Sequence, residues 1–117
     1  MKTVTRRIDS LNINVDFIVG GNAQENHDII DAADPEDIWF HVAGYPSCHV
    51  ISKIPQDLTL DKNDILKIAK QGAVVCKELS GLKKNKDVKI DWTRIKYVTK
   101  LDKPGSVSIT NQRQMII

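Results

Sequence analysis

Between Asp61 and Ser80 the apolar positions Ile65, Ala69, Gly72, Cys76 and Leu79 recur at alternating steps of four and three. That spacing predicts an amphipathic helix of about five turns, stopped by Gly81 and carrying one apolar stripe. Such a stripe must be buried against another layer of structure. Cys76 sits on the stripe and is expected in the core.

Several other apolar residues alternate with a period of two. Residues 3–8 and 13–19 read as strands joined by Asp9-Ser10-Leu11-Asn12, which has turn chemistry. In the second, Ile13, Val15 and Phe17 alternate with Asn14, Asp16 and Ile18, the pattern of a half-buried strand. Gly20-Gly21 breaks it, and Asn22 is a good cap for a short acidic helix running to about Ala33, with Glu25 at the capping-box position. Ile29, Ile30 and Ala33 form its expected buried side. Strands at 37–42 and 48–54, separated by Gly44-Tyr45-Pro46, read as a hairpin.

Past the basic loop 81–87, Val88, Ile90 and Trp92 alternate, and the phase shifts at Thr93, which predicts a bulge or bend. Residues 107–110 and 114–117 are expected to form a closing hairpin around Asn111-Gln112-Arg113. The result is an α+β fold: one domain over residues 1–117, with a mostly antiparallel sheet of six to seven strands and two helices. At 117 residues the chain buries about two-thirds of its unfolded surface and needs no staple.

No apolar run approaches the length of a membrane span, and MKTVTRRIDS is not a signal peptide. The expected location is cytoplasmic. Cys48 and Cys76 are too few for a disulfide scaffold and would stay apart in a reducing compartment. Neither belongs to a CxxC pair. Cys48 and His49 point to opposite faces of a strand, so no metal site is expected, and no cofactor.

Charge is unevenly placed. Residues 1–58 hold four Lys/Arg against nine Asp/Glu, whereas residues 59–117 hold thirteen against six. This is the footprint of a polyanion binder that uses one face. Lysines also simply solubilise exposed surface. Residues 22–37, with six acids and no Lys or Arg, should not track a phosphate backbone.

The most unusual local feature is Trp39-Phe40-His41 with His49 on the partner strand. Trp39 and His41 share parity and therefore a face, on which a nucleobase could stack and receive hydrogen bonds. The competing reading puts Trp39 in the core with histidines as satisfied structural donors. No nucleophile elbow or phosphate-cradling motif is present, Asp37, His41 and Ser47 have no reason to assemble as a triad, and no enzyme activity is expected. The Gly20–Asn22 step into a helix could hold one phosphate on its free N–H groups.

Four segments in order resemble one known family: 20–26 (GGNAQEN), 37–42 (DIWFHV), 46–50 (PSCHV), and 91–100 with 104–107 (PGSV). They are similar to NFACT-R, the RNA-binding module of the NFACT ribosome-quality-control proteins, and the similarity spans about residues 13–117. The resemblance implies a stand-alone, non-catalytic RNA-binding domain. Its expected partner is tRNA or ribosomal RNA, in a translation or ribosome-associated context.

On this reading Asn22, Asn26, Trp39, His41 and His49 line the RNA-reading surface, and Arg94, Lys96, Lys100 and Lys103 supply phosphate contacts. The rivals are a protein-interaction module docking through the acidic helix or a strand edge, a small enzyme acting on tRNA through His41 or His49, and a DNA-binding protein. The sequence sets no oligomeric state.

Overall fold

A computed structural model describes residues 1–117. The alternation at the N-terminus is realised as β1 (Lys2–Ile8) and β2 (Ile13–Val19), paired antiparallel from Lys2 opposite Val19 to Ile8 opposite Ile13. The turn between them is one turn of 3-10 helix, closed by Asn12 in the left-handed region at φ 54°. Asn tolerates that region better than most residues.

β3 (Ile38–Val42) and β4 (Val50–Ser52) form the expected antiparallel pair, although β4 is shorter than its apolar run. β5 (Lys89–Arg94) flanks β3, and β8 (Arg113–Ile116) flanks β5. The main sheet therefore has six strands in the order β1-β2-β4-β3-β5-β8, and every pairing in it is antiparallel.

Two helices cover the two faces. α2 (Lys62–Leu79) has Asp61 as its cap, in a reciprocal box with Asp64, and Gly81 follows its end at φ 77°. It packs Ile68, Ala69, Ala73 and Cys76 against Val15, Phe17, Phe40, Val50 and Ile90. Gly72 is required where α2 meets β3, because a Cβ there would lie 2.2 Å from the Phe40 ring. The stripe differs from expectation at its C-terminal end, where Leu79 is exposed and Val75 is buried instead.

α1 (Ala23–Asp31) covers the opposite face with Ile29 and Ile30 on Trp39, Ile51 and Ile95. Beside it lies a separate two-stranded sheet, β6 (Val98–Lys100) with β7 (Val107–Ile109). The expected hairpin of 107–110 with 114–117 does not form. β7 turns back to β6, and after Asn111 at φ 53° the chain crosses to the main sheet to pair β8 with β5. Of the bulge or bend expected near Thr93, the bulge is absent. Trp39 pairs with Thr93 in an unbroken ladder, and the phase shift comes from a 3-10 turn over Ile95–Tyr97 that drives Ile95 into the second core. No helix is long and apolar enough to cross a membrane.

Candidate functional site

Where β2 ends, Gly20 donates its N–H to the His49 carbonyl at 3.0 Å. A side chain cannot be accommodated at Gly20, since a Cβ would stand 2.1 Å from Asn26 Oδ1. Asn22 caps α1 through Oδ1, which accepts from the Glu25 N–H at 2.9 Å. Glu25 does not complete the expected box with Asn22. Its carboxylate accepts from the Gly21 N–H, one residue further back, at 2.9 Å. The N–H groups of Gly20, Gly21 and Glu25 are thus already engaged within the protein and are not the ones a phosphate at this turn would use.

Asn26, buried on α1, accepts the His49 backbone N–H at 3.2 Å through its side-chain oxygen. Helix α1 is thereby pinned to the residue entering β4.

Parity puts Trp39, His41 and His49 on one face of the β3–β4 pair, and the three rings meet. His41 stacks parallel to Trp39 at 5.7 Å, and His49 stands edge-on to both, 5.3 Å from Trp39 and 5.1 Å from His41. Trp39 Nε1 donates to His49 Nδ1 at 3.1 Å. An imidazole that accepts at Nδ1 is neutral and carries its proton on Nε2. Burial, followed by the charges of His41 and His27, pushes His49 down to about 4. Burial also holds His41 below the ordinary histidine value. Both rings are neutral near pH 7, which suits them to hydrogen bonds with bases better than to charge pairing with phosphates.

Trp39 and His49 are buried, whereas His41 is half-buried. The core reading of Trp39 therefore holds in part. Its ring fills the second core, and its polar edge is satisfied by the histidine beside the surface.

The opposite wall comes from residues distant in sequence. The tip of the β6–β7 hairpin, Pro104–Ser106, lies against the start of α1, with the Ser106 carbonyl 3.0 Å from His27 Nε2. Gly105, at φ 83°, packs so closely on Ala23 that a Cβ would lie 3.2 Å away. Between this tip, the turn at Gly20–Asn22 and the segment Pro46–His49 lies a cleft of about 760 Å³. Asn22, Asn26, His41 and His49 line it, and Trp39 lies behind its wall.

The four cations follow the hairpin instead of ringing the cleft. Arg94 and Lys96 stand at its base, where Arg94 donates to the Glu36 carbonyl at 2.5 Å and Lys96 pairs with the Glu36 carboxylate at 2.7 Å. Lys100 on β6 pairs with Asp31 at 2.5 Å. Lys103 is exposed in the turn immediately before the cleft-lining tip. Arg94 also borders a second cleft of about 560 Å³ with Lys62, Trp92, Tyr97 and Arg113, whose guanidinium lies 5.3 Å from the Trp92 ring.

Sequence reasoning missed two supporting residues. His27 ties the hairpin tip to α1, and its partner lies 79 residues away, which no local pattern reports. Asp37, fully buried, accepts from the N–H groups of Asp34 and Ile54 at 2.9 Å and pairs with Lys53. Those contacts commit its carboxylate to the far end of β3, and Asp37, His41 and Ser47 do not assemble into a triad. Ser47 Oγ instead accepts from the Val42 N–H and donates to the Cys48 carbonyl, both at 3.1 Å.

Comparison with known proteins gives a match to the family model described as the NFACT protein RNA binding domain over residues 8–111. The chain is 31% identical over 107 residues to coiled-coil domain-containing protein 25 of Danio rerio, covering 85% of this chain and 49% of that protein. It is 27% identical over 104 residues to the Rqc2 homolog RqcH of Bacillus subtilis (strain 168), covering 86% of this chain and 17% of that protein. The chain thus spans half or less of the length of these curated relatives. In fold it is similar to the C-terminal part of the fibronectin/fibrinogen-binding protein from Streptococcus suis. That likeness has a TM-score of 0.74 at 22% identity, over 88% of this chain and 41% of that one.

Proposed function

The chain belongs to the NFACT protein RNA-binding domain family, and from that premise we propose that it binds RNA without transforming it. The observation that carries the reading is one cleft in which Asn22, Asn26, His41 and His49 converge, with a lysine-bearing hairpin ending on its rim. The polar and neutral imidazole groups are suited to the edges of unstacked bases, and Trp39 supports the His41 ring from behind. Arg94, Lys96, Lys100 and Lys103 run from the hairpin's base to its tip, and a phosphate backbone lying along it would exchange the surface pairs with Glu36 and Asp31 for phosphate contacts. The RNA we infer is tRNA or ribosomal RNA, met at the ribosome in a quality-control setting in the cytoplasm. The relationship to the Rqc2 homolog supports this setting.

The test is binding of a fluorescent single-stranded RNA across a salt series. With about four phosphates engaged, log K should fall with log salt at a slope near −3. Lys100→Ala with Lys103→Ala should weaken all RNAs alike and flatten the slope by about 1.4. His41→Ala should weaken binding and leave the slope unchanged. It is a cleaner probe than Trp39→Ala or His49→Ala, because those rings are buried and hydrogen-bonded to each other. A slope near zero, or full affinity in both variants, would sink the reading. The same series with DNA of one sequence separates RNA from DNA binding, since only RNA offers the 2′-hydroxyl.

A further inference from the structure

The cleft wall contains chemistry that RNA binding does not use. Cys48, half-buried, faces the cleft from the segment leading into β4. Directly behind it is Cys76, fully buried on α2. The Cys76 thiol reaches toward the Cys48 carbonyl at 3.9 Å, and Cys48 Sγ is 3.3 Å from the Ser80 hydroxyl, one helical turn beyond Cys76. Ser80 and the Cys48 carbonyl thus place the two thiols side by side, one on each of the packed elements. One sulfur belongs to a residue that lines the cleft, and the other to a residue fully buried in the core.

We propose that Cys48 and Cys76 form a dithiol oxidised by small hydroperoxides, with Cys48 as the attacked thiol and Cys76 as the resolving one. The Cys48 thiolate attacks one oxygen of hydrogen peroxide, so an S–O bond forms, the O–O bond breaks, and hydroxide leaves and is protonated to water. The resulting sulfenic acid is attacked by Cys76 sulfur. An S–S bond forms, the S–O bond breaks, and the departing hydroxide takes the Cys76 proton as a second water. Two thiols and one peroxide give one disulfide and two waters.

The environments fit the division of roles. The hydrogen bond from Cys76, aided by the Ser80 hydroxyl and opposed by burial, brings Cys48 down to about 6. Cys76 is pushed up by its hydrogen bond to Cys48, by burial and by the charge of the Cys48 thiolate. A thiol ionised near neutral pH and open to a cleft is the reactive kind, whereas a buried one reacts only when an electrophile is formed beside it.

The experiment treats the folded full chain with hydrogen peroxide, quenches, denatures, alkylates with a maleimide and reads the intact mass. Both thiols should be lost together within one chain, with the mass falling by two hydrogen atoms. Cys76→Ser, with Cys76→Ala as a second variant should the serine disturb the core, should stop at a Cys48 sulfenic acid trapped by dimedone. In Cys48→Ser, Cys76 should remain alkylatable, oxidising at least roughly tenfold more slowly than the pair. Sulfinic acid on Cys48 with Cys76 still alkylatable, a disulfide found only between chains, or equal oxidation of Cys76 in Cys48→Ser would each overturn the proposal. No RNA enters this readout, so it stands or falls separately from the RNA-binding reading.

Discussion

Lowering the pH should destabilise this domain through His49, and the size of the effect follows from its surroundings. In the folded chain His49 is held near 4, against 6.5 for an ordinary histidine, chiefly by burial and then by the His41 and His27 charges. The unfolded chain therefore binds a proton first as pH falls. Because the unfolded state carries more protons between pH 6.5 and 4, stability rises with pH across that window. The contribution is fully present above 6.5 and is lost as pH drops toward 4. Linkage gives a loss of about 2.5 kcal/mol from this one ring between pH 7.5 and 4.5, a large part of a small domain's stability. Structurally, a proton on Nδ1 would remove the acceptor that Trp39 Nε1 uses and leave a buried donor unpaired. The assay is urea unfolding followed by circular dichroism at several pH values, on the wild type and on His49→Asn. The asparagine offers an acceptor near the Nδ1 position and does not titrate. Carboxylates that protonate in the same range are common to both chains and cancel in the difference. Wild type should lose about 2 kcal/mol more than the variant over the window. Equal losses in the two proteins would refute the burial argument.

Two glycines test the packing. Gly72→Ala should gain about 1 kcal/mol of helix propensity but force a methyl to 2.2 Å from the fully buried Phe40 ring. Overpacking costs about 1–3 kcal/mol, so net destabilisation is expected, and a raised urea midpoint would contradict the close approach of α2 to β3. Gly20→Ala should displace the Asn26 side chain, weaken its hold on the His49 N–H and cost about 1–3 kcal/mol. If its midpoint and its affinity for RNA both match wild type, Asn26 is not the pin described above.

Much of the fold was legible because its signals are local. The capping residues Asn22 and Asp61 bracket the starts of both helices, and Gly81 marks the end of α2. Period-two alternation located β2 and β5, and the flanking turn residues β1 and β3, to within about two residues. What alternation cannot report is the partner of a strand. Residues 107–109 and 113–116 are adjacent and both extended, yet they belong to different sheets, because each is matched to an apolar surface made elsewhere. The phase shift after Trp92 had two physical causes open to it, a bulge or a bend, and only the pairing of Thr93 with Trp39 rules out the first. The same limit applied to the cleft. Parity brought Trp39, His41 and His49 together, but the facing wall rests on a contact between His27 and Ser106 that no spacing encodes.

The cleft is also built differently from the rest of the core, which bears on what it can do. On the α2 face the sheet is packed with aliphatic and aromatic groups down to a glycine-to-ring contact. On the α1 face the buried polar groups satisfy one another in sequence. Trp39 donates to His49, the His49 backbone donates to Asn26, and His27 meets the Ser106 carbonyl. A network with its partners already in place holds its shape before a ligand arrives, which lowers the cost of ordering on binding. It also makes its members poor mutational probes, since removing any one leaves another buried group unpaired. His41 escapes this, because it is the half-buried ring, stacked on Trp39 and bordering the cleft. Loss of affinity in His41→Ala with an unchanged unfolding midpoint would therefore report on recognition, whereas parallel losses in both would report on the network.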